Sequence, residues 1–397
     1  MKWFRILLAG VFALLAFDMD QSANVVSANT LAAAGDEFWD ARFYPPGPDG
    51  QVNALVMFDN ELVAGGKFRA AGQDQANRIA KWNGTAWTAL GAAPFQKLCP
   101  LYYGVNGCYL EVKTLASFQG KLYAGGMFTG VLAEWDGSQW SLFGDLYGPI
   151  EPGPCYGSVN SLLVSGNEMY VGGCFFPDGF SGINQLLRWD GTTWSNFEGI
   201  EFVNVVALAM RGDDLYVSAD EVWFTGASHI AKWNRLTNQW SAVNNGIPST
   251  FEPTAMTFWG DTLIAAGSGK LYAWDGAQWS ELATVTGADG EIHSLQTHGG
   301  ELYVGGSFTN FAGQAIQNIA IWNGSTWRGL DQEVNGAVRS LLFDASNLYA
   351  GGNFTLADSA LAPYVAKWDG SGPTCMRAER CSALARSARM GWRVGTR

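Results

Sequence analysis

The chain has 397 residues, 48% of them hydrophobic and 14% aromatic, with 50 glycines, 18 tryptophans and a formal net charge of −12. This is a globular composition, and its acid excess repels a phosphate backbone, which excludes nucleic acid as an expected partner. The charge is uneven: residues 373–397 hold six arginines against one glutamate, so the remainder is more acidic than the total.

The chain opens MKWFRILLAGVFALLAF, with Lys2 and Arg5 ahead of an apolar run and a polar stretch that ends Val26-Ser27-Ala28. That layout predicts a secretory signal peptide over residues 1–28. No later segment approaches the 18 or more apolar residues of a membrane span, so none is expected once the signal is removed. The expected location is secreted, extracellular or periplasmic, where the six cysteines can form disulfides.

Residues 36–372 read as one repeat domain. Its first copy is VNALVMFDNELVAGGKF, a loop, then NRIAKWNGTAWTALG. Four short runs rich in Val, Leu, Ile, Trp and Phe are separated by turn residues, without helical periodicity, which predicts four antiparallel strands. Asp59-Asn60 joins the first two strands, and Asn83-Gly84 is expected to join the last two as a two-residue type I′ turn. On that register Trp82 and Trp87 project from one face as diagonal neighbours. The spacing recurs as Trp135/Trp140, Trp189/Trp194, Trp274/Trp279 and Trp322/Trp327, while Trp233 and Trp240 stand two residues farther apart, an insertion that keeps their parity. Gly pairs close the second strand at 65–66, 125–126, 172–173, 305–306 and 351–352, and predict tight approach between neighbouring sheets. A lone sheet cannot cover such an aromatic face, so the copies must stack.

Third-strand tryptophans at 82, 135, 189, 233, 274, 322 and 368 count seven copies of about 40–50 residues. The expected fold is all-β: a seven-bladed β-propeller of four-stranded antiparallel blades. The last copy, VAKWDGSGP, lacks its second tryptophan and runs into PTCMRAERC. The missing outer strand is expected from residues 38–43, with Trp39 beside Trp368, which closes the ring. The tail 373–397 shares nothing with the repeat and is expected to be disordered or atypical.

The long segments fall on one face of such a ring, and Tyr102, Tyr103, Tyr147, Tyr156, Phe175, Phe176 and Phe180 lie in them. They are candidate ligand or partner contacts, because function concentrates on long loops over a rigid scaffold. Rim packing is the competing role. Cys99–Cys108 and Cys155–Cys174 are the expected disulfides of these loops. The three histidines, 229, 293 and 298, make no metal triad, and no nucleophile elbow or phosphate loop occurs, so neither catalytic residues, metal nor cofactor is expected. Asn83, Asn323 and Asn353 begin sequons, although turn chemistry alone explains Asn-Gly at the first two.

The LYxGG followed by Trp-Asp/Asn-Gly-x-x-Trp order resembles kelch propellers. It resembles more nearly the bacterial and fungal surface propellers that include the fungal cortical polarity marker family, whose blades read much like LYVGGSFTNFAGQAIQNIAIWNGSTW. The likeness spans residues 36–372 and implies a fold rather than an activity. The paired His and Tyr that hold copper in kelch-like galactose oxidases have no counterpart, and Asp136-Gly137 departs from the Asp box of sialidases. The expected function is a monomeric, non-catalytic binding or adhesion module for extracellular glycans or surface proteins. Alternatives are a propeller glycoside hydrolase or lyase, since two acids can converge without leaving a sequence trace, and a purely structural surface protein.

Overall fold

A computed structural model describes residues 47–92, 95, 110–147, 157–177, 185–224, 226–227, 229–243, 247–330, 333–357 and 360–369. These are all-β, with no helix among them, and form seven antiparallel blades arranged as a propeller. Blade one is Val52–Phe58, Glu61–Gly66, Ile79–Trp82 and Trp87–Ala89, hydrogen-bonded in that order. The inner strands of blades two to seven are Glu111–Phe118, Ser158–Ser165, Glu201–Arg211, Ala255–Trp259, Glu291–His298 and Val338–Asp344. Blade seven continues with Asn347–Gly352 and Val365–Trp368, three strands among the described residues. The stretch around Trp39 that should complete it lies outside them. Each inner strand packs on the next, and that of blade seven on that of blade one, where the Leu55 amide donates to Ser340 Oγ at 3.1 Å. The ring is therefore joined on its inner wall, and a core cluster carries Val52 and Leu55 together with Tyr349 and Val365.

The tryptophan slab exists, but its turn differs from the expected one. Trp82 pairs directly with Trp87, and Ala80 with Ala89, so the loop is the four residues 83–86. Asn83 Oδ1 accepts the amides of Thr85 and Ala86, both at 2.9 Å, and the hydroxyl of Thr85 at 2.8 Å. Only Gly84 takes a positive φ. The motif is an Asx-capped loop rather than a type I′ turn, which explains why Asp serves equally at 136, 190 and 275. Those backbone donors hold the Asp136, Asp190 and Asp275 carboxyls below their usual range. The tryptophans are thus opposed, not diagonal, with ring centroids 5.7 Å apart in blade one and 5.6 Å in blade two. Trp233 likewise faces Trp240 directly, since two added residues restore the same pairing. Asp59 and Asn60, both at positive φ, do form the expected two-residue turn.

The two glycines of each pair have separate reasons. A Cβ on Gly65, Gly125, Gly172, Gly305 or Gly351 would meet a valine of the next blade's inner strand: Val112, Val159, Val205, Val338 or Val52. A Cβ on the second glycine would instead strike the backbone of its own inner strand, as Gly173 would strike Ser158 O at 2.1 Å. Only the first glycine reflects approach between sheets. Indole N–H groups add further ties: Trp140 Nε1 donates to Leu90 O at 2.7 Å, and Trp279 Nε1 to Val243 O at 2.8 Å. Each links one blade to the end of the blade before it.

Candidate functional site: a polar cavity on the propeller axis

The inner strands carry a repeated irregularity. In six blades the register slips just after a buried valine or isoleucine, between Val52/Ala54, Val112/Thr114, Val159/Ser161, Val205/Ala207, Ile292/Ser294 and Val338/Ser340. The extra residue of such a bulge leaves the ladder and re-aims its side chain. Here those residues are Asn53, Lys113, Asn160, Val206, His293 and Arg339. Four of them, Asn53, Lys113, His293 and Arg339, line one cavity of about 290 Å³, together with Gln51, Lys67, Glu111 and Thr254. All eight side chains are polar. Seven of them stand at or just before the start of an inner strand and Lys67 just after the second strand of blade one, at the end away from the tight turns that follow the inner strands. The cavity therefore opens on the face that carries the long loops.

A belt of hydrogen bonds joins neighbouring blades at this level. Asn53 Nδ2 donates to Val112 O at 2.9 Å, Asn160 Nδ2 to Val205 O at 3.0 Å, and Thr254 Oγ1 to Ile292 O at 3.1 Å. Lys113 Nζ crosses from blade two to Asn160 Oδ1 at 2.9 Å and Ser158 Oγ at 3.4 Å. Blades six and seven differ. His293 Nε2 and Arg339 Nε are buried without a hydrogen-bond partner. Glu291 Oε2 stands 3.7 Å from His293 Nε2, beyond hydrogen-bonding reach. Burial, reinforced by the Arg339 charge, pushes the His293 imidazole down to about 4 against the pull of Asp289. Burial likewise lowers the Lys113 ammonium, opposed by Glu111. Lys67 pairs with Glu111 at 3.0 Å.

A second cavity of about 410 Å³ adjoins the first between blades five and six and shares Thr254 and His293 with it. Glu252, Asp289 and Glu291 line it, all three exposed, and Asp289 Oδ2 accepts the Ser307 hydroxyl at 3.1 Å. No group of three or more His, Cys, Asp or Glu among the described residues is placed to hold a metal. The other two histidines serve packing: His229 bonds the carbonyls of Asp220 and Ser249, each at 2.9 Å, and His298 stacks on Phe343 at 4.2 Å.

Among the loop aromatics, Tyr102, Tyr103, Tyr156 and Phe180 lie outside the described residues, as do Cys99, Cys108 and Cys155. The backbone of Tyr147 pairs with that of Phe176 in a small two-stranded sheet. Phe176 is 39% exposed, whereas Phe175 is fully buried and its ring packs the blade instead of offering a face. Cys174 is fully buried, and no described cysteine is a free thiol. Apart from His293, weighed there only as a metal ligand, the axial residues escaped the sequence reading although a signal exists: VNAL, VKTL, VNSL, VVAL, IHSL and VRSL at 52, 112, 159, 205, 292 and 338. A polar residue in five of these breaks an apolar run where alternation would have continued.

No family model matches the chain, and no curated protein matches it in sequence. The likeness of its repeats to kelch propellers thus rests on the sequence motif. Solved structures share the fold at low identity. The extracellular domain of BT4673, described as a one-component system of B. thetaiotaomicron, superposes with a TM-score of 0.54 at 10% identity over 84% of this chain and 40% of that one. The extracellular domain of BT3049 from the same organism, described as a hybrid two-component system, gives 0.52 at 10% identity over 82% and 40%. YCF48 bound to D1 peptide gives 0.51 at 14% identity over 85% and 99%. The chain spans about 40% of the length of the two B. thetaiotaomicron domains. No helix of the described residues is long and apolar enough to cross a membrane.

Proposed function

We propose that the protein is an extracellular, non-catalytic binding propeller that receives its ligand, a glycan or a group on a surface protein, at the axial cavity of its long-loop face. The observation that carries this reading is the cavity itself: eight polar side chains converge there from five blades, and two of them hold buried polar atoms without partners. A rigid ring that leaves such atoms unsatisfied at a surface opening has the character of a binding site. Extracellular propeller domains among the structural neighbours, and one neighbour bound to a peptide, agree with a ligand-binding role in general. The signal-like N-terminus supports secretion, and the buried Cys174 supports pairing with Cys155. Phe176 and the loop aromatics around it would extend the contact surface outward from the axis. A binding screen of the purified chain against extracellular glycans and surface proteins tests the reading. Competition between any ligand found and substitutions at Asn53 or Arg339 is the expected result; a ligand indifferent to both would remove the axial site.

A second reading, a glycan hydrolase or lyase, draws on Glu252, Asp289 and Glu291 around the adjoining cavity, because paired carboxylates are the machinery of glycoside cleavage. Glycan turnover that disappears in both Glu252→Gln and Asp289→Asn would favour it over simple binding.

A further inference from the structure

We propose that the axial cavity is an oxyanion site, in which Arg339 and Lys113 bind the carboxylate, sulfate or phosphate group of a small ligand that enters from the long-loop face, with His293 beside it. This deepens the binding reading above and rests on it. The first support is the broken belt. Bulge side chains or Thr254 tie blade one to two, two to three, three to four and five to six, yet no such bond joins His293 to blade seven or Arg339 to blade one. A bound group that accepts from both residues would carry the belt across blades six, seven and one; the other gap, between blades four and five, has the apolar Val206 at the bulge position.

The second support is charge. The lining sets three cations, Lys67, Lys113 and Arg339, against the single carboxylate of Glu111, which pairs with Lys67 at 3.0 Å and also opposes the burial of Lys113, so the cavity keeps an excess of two positive charges. Two desolvated cations facing one opening are unfavourable without an anion, and the chain as a whole carries −12. A guanidinium with no carboxylate partner in reach presents the planar donor fork that oxyanions fit. The neighbouring cavity is acidic, through Glu252, Asp289 and Glu291, so the anionic group is directed toward blades one, two and seven and away from blade five. A volume of about 290 Å³ suits a small ligand or the terminal group of a longer one.

Calorimetric titration of the purified chain with glucuronate, glucose 6-sulfate, glucose 6-phosphate and, as the neutral control, glucose tests the proposal. At least one anion should bind, glucose should bind at least tenfold more weakly, and the anion preferred identifies the source. Arg339→Gln should weaken that anion about tenfold or more, with Arg339→Lys in between. Lys113→Gln, on a different blade, provides an independent variant should Arg339→Gln not fold, and it too should weaken binding. Equal binding of glucose, or wild-type affinity in a folded Arg339→Gln and in Lys113→Gln, overturns the oxyanion site. If all three anions fail while a neutral glycan or a surface protein binds in the wider screen, the oxyanion site falls and the binding reading stands. If nothing binds in either experiment, both fall.

Discussion

The division of labour within the glycine pairs can be tested at blade three. A Cβ introduced by Gly172→Ala would lie 2.4 Å from Val205 Cγ1 and 3.2 Å from Val205 Cβ, against the roughly 3.5–4.0 Å at which carbon atoms rest. Val205 is fully buried in the inner strand of blade four, so the overlap of more than an ångström cannot be relieved by turning outward. Overpacking of this kind costs about 1–3 kcal/mol. Val205→Ala alone should cost about 2 kcal/mol for two methyl groups and the space they leave. In the double variant the added methyl enters that space. The two losses should therefore fall short of additivity by about 1–2 kcal/mol, inside the range measured for residues in contact. Gly173→Ala is the control, since its Cβ would meet Ser158 O at 2.1 Å and Val159 Cα at 2.8 Å, backbone atoms that no truncation removes. It should be the more damaging change, and Val205→Ala should not rescue it. Urea unfolding followed by tryptophan fluorescence and far-UV circular dichroism gives the midpoints, with coincidence of the two probes as the check on two-state behaviour. Additive losses for Gly172→Ala and Val205→Ala, or equal rescue of Gly173→Ala, would refute the assignment.

Other expectations follow from single contacts. Trp140→Phe strands the buried Leu90 carbonyl and should cost about 1–3 kcal/mol through that bond, whereas Trp240→Phe removes an N–H that has no partner and should cost less; chemical denaturation compares them. Because His293 falls from 6.5 to about 4 on folding, the unfolded chain takes up the proton first as pH drops. The stability contributed by the neutral ring is complete above pH 6.5 and is lost toward pH 4, by at most about 3 kcal/mol before allowance for its residual exposure. Glu291, Asp289, Arg339 and Lys113 also line the cavities around this ring, so the measurement is the difference in pH slope between wild type and His293→Gln, and identical slopes would contradict it. Deleting residues 36–44 should lower the denaturation midpoint far more than deleting 375–397, because blade seven has three strands among the described residues, the last at Val365–Trp368; equal tolerance of both deletions would exclude closure by the N-terminal segment. Mass mapping of non-reduced peptides should recover Cys99–Cys108 and Cys155–Cys174, and any other pairing would sink that assignment.

The repeat was legible because it records short-range geometry. Trp-Asn/Asp-Gly-x-x-Trp, present in five copies, specifies two opposed strands and a capped loop, and the seven third-strand tryptophans count the blades. Parity survived even an incorrect turn, since direct and diagonal partners share a face: Trp82 and Trp87 were placed on one slab although their register was displaced. Three features were decided only by the tertiary structure. Whether a glycine answers to its own blade or to the next depends on where the neighbouring sheet lies, so Gly172 and Gly173 look alike in sequence and differ in space. The bulge turns Asn53, Lys113, His293 and Arg339 out of the alternation that an unbroken strand would impose. Their convergence on one cavity then requires the ring to bring residue 53 beside residue 339. Sequence patterns report neighbours along a strand or across a turn; a site on the axis is assembled from the same position of many blades, and closure of the ring creates it.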